Sequence, residues 1–174
     1  RTGLGLASHR QRVGPSPCKG GDFTGKNPND RAKLGTKRHN HVEARGIPVA
    51  TVLSGANRHD SKMVKPLLSR PTVPRPEPTP RRKQHMAMDK GYDYPAVRSE
   101  VKAKGYVVHI PKRGSSPTTC PVIQHPARRW VVERTARWQN LFRRLKTRYE
   151  VYSCNYLGFV EFANAIICFR SARR

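Results

Sequence analysis

Acidic side chains are scarce in this chain. Its 174 residues include 11 Asp and Glu against 35 Lys and Arg, a formal net charge of +24, with a pI near 11.1. Such a field gathers polyanions, so nucleic acid is the default partner and a membrane surface the weaker one. Long apolar runs are also missing. None reaches the ~20 residues that a membrane-spanning helix needs. The opening stretch "RTGLGLASHRQRVGPSPC" lacks the apolar segment of a secretory signal. Four cysteines, at 18, 120, 154 and 168, form no C-x-x-C pair. That excludes a zinc ribbon or finger and fits unpaired thiols in a reducing cytoplasm. The chain begins at Arg1 rather than Met, as a fragment would.

What is present suits one domain. Apolar residues make up 36%, enough for a modest core. Residues 1–19 show no periodicity, and "GGDFTGKNPNDRAKLGTKR" (20–38) reads as a Gly/Asn-rich loop. "HNHVEARGIPVATVLSG" predicts two strands around a turn at Ala44–Gly46, the second, Ile47 to Leu53, being central. His39 and His41 alternate, as on one face of a surface strand, with a metal site the lesser reading. Asp60 or Ser61 can cap a helix carrying Met63, Val64, Leu67 and Leu68, shortened by Pro66. Residues 70–84 form a proline-rich connection, with prolines at 71, 74, 76, 78 and 80. "HMAMD" predicts a strand, "YPAVRSEVKAKG" a helix ending at Gly105, and "YVVHIPK" a strand. The last third predicts helix, with Val131, Trp138, Phe142, Leu145 and Tyr149 on one stripe. "YLGFVEFANAIICF" predicts a buried helix. The order of elements predicts a mixed α/β domain.

Two acids stand out against this basic background. Asp89 ends a short apolar strand beside a glycine turn, where open α/β sheets place ligands; a helix N-cap is the plainer reading. Glu133 shares a helix face with Arg129, Arg137, Asn140 and Arg144. Its plainer reading is a solvated face with i, i+4 ion pairs worth ~0.3–0.5 kcal/mol each. The two acids lie on different elements, as carboxylates converging on Mg²⁺ at phosphoryl-transfer sites do. Such a site needs a third acid.

Several stretches, in order, carry a resemblance: "GGDFTGKNPNDRAKLGTKRH", "GIPVATVLSGANRHD", "DKGYD", "RRWVVERTARWQNLFRRLKTRYE" and "YLGFVEFANAIICFR". From about Gly20 to the C-terminus the chain resembles the catalytic domain of bacterial insertion-sequence transposases of the DDE type, and the insertion-sequence-five group best. The resemblance implies an RNase H-like α/β fold and Mg²⁺- or Mn²⁺-dependent strand cleavage and transfer. The DNA partners it implies are the terminal inverted repeats and a target. It also leaves room for a homodimer and gives no role to a membrane, in a cytoplasmic, nucleoid-associated protein. The family's second catalytic Asp falls on Asp89 and its Glu on Glu133, both as metal ligands, and its helix Arg on Arg129. The family's Tyr and basic residue around that motif would fall on Pro126 and Asn140, which do not match. Lys33, Lys37, Arg38, Arg137, Arg143 and Arg144 are the expected DNA contacts.

The family's first Asp has no counterpart, since no acid precedes Asp22. Back-translated with permitted codons and shifted by one base, Ser8–Pro17 reads Ala-Ile-Asp-Ser-Val-Ser-Val-Arg-Ala, a strand with an Asp. Residues 1–19 are therefore expected to be a degraded or mis-framed first strand, and 20–174 the catalytic domain. A transposase domain that no longer cleaves DNA is the first expectation. A non-catalytic basic nucleic-acid-binding protein is the alternative, and a nuclease on the same fold a weaker third.

Overall fold

The computed structural model describes residues 3–6, 14–15, 21–28, 31–70, 76–112 and 129–173; the side chains of 3–6, 14–15 and Arg129 lie outside that description. One mixed sheet organises it. β4 (Leu34–Glu43) is the long strand. It pairs antiparallel with β5 (Pro48–Gly55) through a tight hairpin, in which Gly46 N–H donates to Glu43 O at 2.8 Å. Gly46 takes a φ of 81°, a left-handed conformation that glycine adopts at little cost. On its other edge β4 meets β1 (Gly3–Leu6) antiparallel, and β1 runs parallel to β6 (Gln84–Ala87). β6 in turn runs parallel to β7 (Tyr106–His109). Two short strands, β2 (Gly14–Pro15) and β3 (Gly25–Lys26), pair with the start of β4. The long path is therefore β5–β4–β1–β6–β7, the RNase H-like mixed sheet that the resemblance implies, except that β5, expected to be central, pairs among the described residues with β4 alone.

β1 falls within residues 1–19, the segment expected to be a degraded or mis-framed first strand. A segment read as having no periodicity supplies a central strand, bonded on both edges by its backbone. What it lacks is a carboxylate: its sequence is Gly-Leu-Gly-Leu, and no acid stands anywhere from Arg1 to Gly21. Backbone pairing on two sides holds a strand whose sequence has no alternation, although two glycines make it a weak one.

Helices cover both faces. On one face lie α1 (Val64–Leu68), entered through a 3₁₀ turn at Asp60–Met63, and α2 (Pro95–Ala103). His59, rather than Asp60 or Ser61, caps that turn, its ring nitrogen accepting from Ser61 N–H. Met63, Val64, Leu67 and Leu68 are buried as the spacing predicts, against Ala50, Val52, Met86, Met88, Val97 and Val101. Each such side chain contributes about 1.5–3 kcal/mol by leaving water. His39 and His41 point into the protein rather than to a surface, at 2% and 4% exposure. His39 bonds Ser54 Oγ at 2.7 Å, and His41 meets the edge of Tyr106.

The other face carries α3 (Arg129–Leu141), α4 (Arg143–Lys146) and α5 (Ser153–Ala172). The predicted stripe from Val131 to Tyr149 is interrupted. Phe142 is extended (φ −79°, ψ 104°) and breaks the helix, while Tyr149 lies beyond α4 and is 54% exposed. The bend lets Phe142 and Leu145 turn onto α5, where Tyr156 and Val160 receive them. α5 also departs from expectation. It buries Tyr156, Val160, Ala163 and Ile167 but exposes Phe159, Phe162 and Phe169. Among the described residues no helix is long and apolar enough to cross a membrane.

Candidate active site

Asp89 stands just past the end of β6. Along this segment Gln84, Met86 and Met88 are buried, with both methionines in the core under α1 and α2. His85, Ala87 and Asp89 alternate with them and are half-buried. By the two-residue period of an extended chain they belong to the opposite face, the one α3 packs on. Asp89 is itself extended (φ −71°, ψ 157°) and caps the 3₁₀ turn Lys90–Tyr92, its Oδ1 accepting from Lys90 N–H at 2.8 Å. The plainer capping role read from the sequence is therefore present.

Asp60 pairs with Lys37, Asp93 with Arg98, Glu150 with Arg144, Glu161 with Arg70 and Asp22 with Arg148. Asp89 makes no ion pair among the described residues, and neither do Glu43, Glu77 and Glu100.

Glu133 is half-buried on α3, one turn from the helix start. Val131 and Val132 pack on Val42 of β4. On one flank Arg134 reaches the Arg45 carbonyl at the hairpin and lies between the rings of Trp130 and Trp138, at 4.7 and 4.9 Å. Phe142 on that side reaches α5 and β5. Glu133 lies on the flank that bears Asn140, turned from Arg134 by about 100°. Glu133 and Asp89 thus attach to the same face of the sheet. Arg129 is the first residue of α3, and its side chain lies outside the described residues.

A buried polar network that the sequence did not announce fixes α3. Asn40 and Gln139 exchange amide bonds at 3.0 and 3.1 Å. Thr51 Oγ1 donates to Asn40 at 2.8 Å, Gln139 donates to Asn164 at 2.8 Å, and Asn164 donates back to Thr51 at 3.0 Å. One residue each from β4, α3, β5 and α5 closes the ring. Asn40 and Gln139 were legible only as polar residues inside apolar patterns, and no spacing rule joins them. Asp22, read as part of a loop, is a second such case. Its carboxylate takes Ser153 N–H at 2.6 Å and the Ser153 hydroxyl at the start of α5, and pairs with Arg148 at 3.3 Å. The Ser153 bonds, chiefly, pull its carboxyl below the usual range.

The expected DNA contacts divide by environment. Lys33, Arg137 and Arg143 are exposed. Arg144 is exposed but bonded to Glu150 and set over the rings of Tyr149 and Phe159. Lys37 is held by Asp60 and the Arg58 carbonyl, both at 3.0 Å. Arg38 lies inside, at 5% exposure, donating to Asn140 Oδ1 at 2.6 Å, and burial lowers the pKa of its guanidinium. It ties β4 to α3, so its contribution to a DNA surface can be no more than its field. Asn140, which breaks the family's helix pattern, is the partner Arg38 uses.

Residues 8–156 match the model of the transposase DDE domain. The chain belongs to the DDE transposase family. It is 34% identical to a protein of Burkholderia cepacia named "Putative transposase for insertion sequence element IS402", over 97% of this chain and 79% of that relative. No solved structure matches. Members of this family act on DNA with divalent metal ions. Among the described residues of this DDE transposase chain, no three His, Cys, Asp or Glu side chains stand together as such an ion needs. The described donors do not make up a complete metal site.

Proposed function

We propose that this chain is the strand-cleaving and strand-transferring domain of an insertion-sequence transposase of the insertion-sequence-five group, in a copy that binds DNA and does not cut it. Asp89 and Glu133 are its two remaining site carboxylates, and Arg129 orients Glu133 or a phosphate. Terminal inverted repeats and target DNA are the partners. Residues 1–19 are a mis-framed first strand whose Asp has been lost. The placement of Asp89 carries this reading: it stands just past the end of parallel strand β6, on the face of the sheet that α3 and Glu133 approach. The loss of cutting rests on β1, which has no acid to offer as a third ligand.

Binding and cleavage should come apart in one pair of assays. Binding depends on many distributed bases, with Lys33, Arg137 and Arg143 foremost. Fluorescence anisotropy with duplex DNA should show non-specific binding that weakens with salt by ~0.9 power of ten per phosphate neutralised, for each tenfold rise in salt. Plasmid nicking with Mg²⁺ or Mn²⁺ should be absent. Asp89→Asn and Glu133→Gln should leave binding within about twofold, since each removes one charge of many. Cutting by the chain as it stands would refute the loss of the third ligand. Failure to bind at low salt would refute the polyanion reading.

A further inference from the structure

The parallel strands β6 and β7 bring two imidazoles together. Met86 on β6 and Tyr106 and Val108 on β7 pack into the core under α1 and α2. His85 and His109 alternate with them and so belong to the opposite face of the sheet. Strand pairing sets His85 beside Val107 and Ala87 beside His109, and Met88 N–H donates to the His109 carbonyl at 3.0 Å. The two side chains therefore meet across one diagonal step of a backbone-bonded frame. His85 Nδ1 lies 2.8 Å from His109 Nε2, with ring centroids 5.1 Å apart, so the rings meet close to end on with one proton between them. Both residues are half-buried, and Val107 on the same face is 36% exposed, so water reaches the pair. The other described histidines are placed differently: His39 and His41 are buried, and His59 bonds Ser61.

We propose that this pair is a chelating site for a borderline divalent ion of tetragonal preference, Ni²⁺ or Cu²⁺, held by His85 Nδ1 and His109 Nε2 with water in the remaining positions. Both rings bind as neutral imidazoles. The ring that now donates moves its proton to its other nitrogen, so none is lost from the pair. With metal–nitrogen bonds of ~2.0–2.1 Å, two adjacent nitrogens stand ~2.9 Å apart on a square and ~3.3 Å apart on a tetrahedron. The present 2.8 Å is close to the square spacing. Each ring has to swing by roughly 45° to aim its lone pair at a shared ion, which the broad terminal torsion of histidine permits. Bonding selects the ion. In a chain of +24 a cation is held by coordinate bonds rather than by the field. Imidazole offers these to Ni²⁺ and Cu²⁺, whereas Mg²⁺ keeps to oxygen. The site is separate from the carboxylates. His85 lies four residues before Asp89, ~13 Å of extended chain, and His109 sits in the row of Ala87. It does not depend on the roles given to Asp89 and Glu133.

The test is titration calorimetry of the reduced, nuclease-treated chain with NiCl₂ in 0.3 M salt at pH 7.5. One ion should bind with a dissociation constant of roughly 1–100 µM, and about 1 mM MgCl₂ should not displace it. His85→Asn and His109→Asn should each weaken binding at least ~10-fold, because a single imidazole remains. His59→Ala should leave it within about twofold. A second readout needs no substitution: in the ¹⁵N-histidine spectrum of the unchanged chain, the rings of His85 and His109 should broaden first as Ni²⁺ is added. Absence of binding at about 1 mM NiCl₂ would overturn the proposal. So would binding that survives both asparagine variants, or broadening that starts at other histidines. Asp89→Asn should leave the affinity within about threefold. A loss as large as that of the histidine variants would assign the ion to the carboxylates and overturn a separate site.

Discussion

Replacing Arg148 with methionine is expected to remove about 3–5 kcal/mol of stability. Arg148 is 1% exposed and spreads its guanidinium in three directions. Nε donates to the Glu150 carbonyl, Nη1 to Thr36 Oγ1 and Nη2 to the Val151 carbonyl, each at 2.8 Å. Methionine keeps the apolar stem beside Tyr156 and leaves those three acceptors without their donor. Each buried acceptor so stranded costs about 1–3 kcal/mol, and the losses overlap because the freed loop can reach water. Asp22 is left out of that sum, since its side chain is 53% exposed. For 174 residues, each kcal/mol lowers the melting temperature by ~2–4 °C, so a fall of ~10 °C is expected. Arg148→Lys should lose roughly half as much, because one ammonium cannot serve three separated acceptors. Urea unfolding followed by Trp130 and Trp138 fluorescence measures both. A loss under ~1 kcal/mol for Arg148→Met would refute the view that this fork holds the 148–153 loop to β4.

Two further outcomes follow from single residues. The pKa of His39 is held down to about 4, chiefly by burial, with Asp60 pulling it up and Lys37 pushing it down. It folds neutral, so its share of stability is complete above pH ~6.5 and falls as pH drops toward 4, by about 3 kcal/mol in all. Urea midpoints at pH 7, 5.5 and 4.5 should show that decline, and His39→Gln should flatten it; an unchanged slope would reject His39 as the source. Gly46→Ala should destabilise by about 1–2 kcal/mol. Its φ is +81°, and a Cβ there would sit 3.1 Å from Thr135 Oγ1 and 3.2 Å from the Arg134 guanidinium. A stability unchanged within error would show that the hairpin yields easily.

Local signals carried much of the fold. The hairpin turn at 44–46 and the helix before Gly105 are punctuated by residues with φ of 81° and 78°, and both were readable. The Met63–Leu68 face was readable from helical spacing. β1 was not, because a strand held by neighbours on both edges needs no pattern of its own. The outward phenylalanines of α5 were misplaced because an apolar residue on a helix signals burial without saying by what. The family resemblance pointed to Asp89 and Glu133, the carboxylates of the proposed site. Arg38 was misread as surface, since a guanidinium in a polar strand looks solvated until Asn140 is seen opposite it. The Asn40–Gln139 pair joins positions 99 apart, beyond the reach of any local rule.

That amide pair also determines how α3 can move. Its side chains exchange bonds in both directions, and Thr51 and Asn164 close the circuit from the neighbouring elements. A helix seated by apolar contacts alone can creep along a sheet by fractions of a turn at small cost. A helix keyed by a reciprocal amide cannot, because any partial slide breaks both bonds at once and strands four polar groups in a dry layer. The next position with i, i+4 packing lies ~5.4 Å away, one full turn. It would set Thr135 or Arg143 opposite Asn40, and neither carries an amide. α3 therefore has one seat, and the height of Glu133 above the sheet edge is set by a lock about a turn and a half further along the helix.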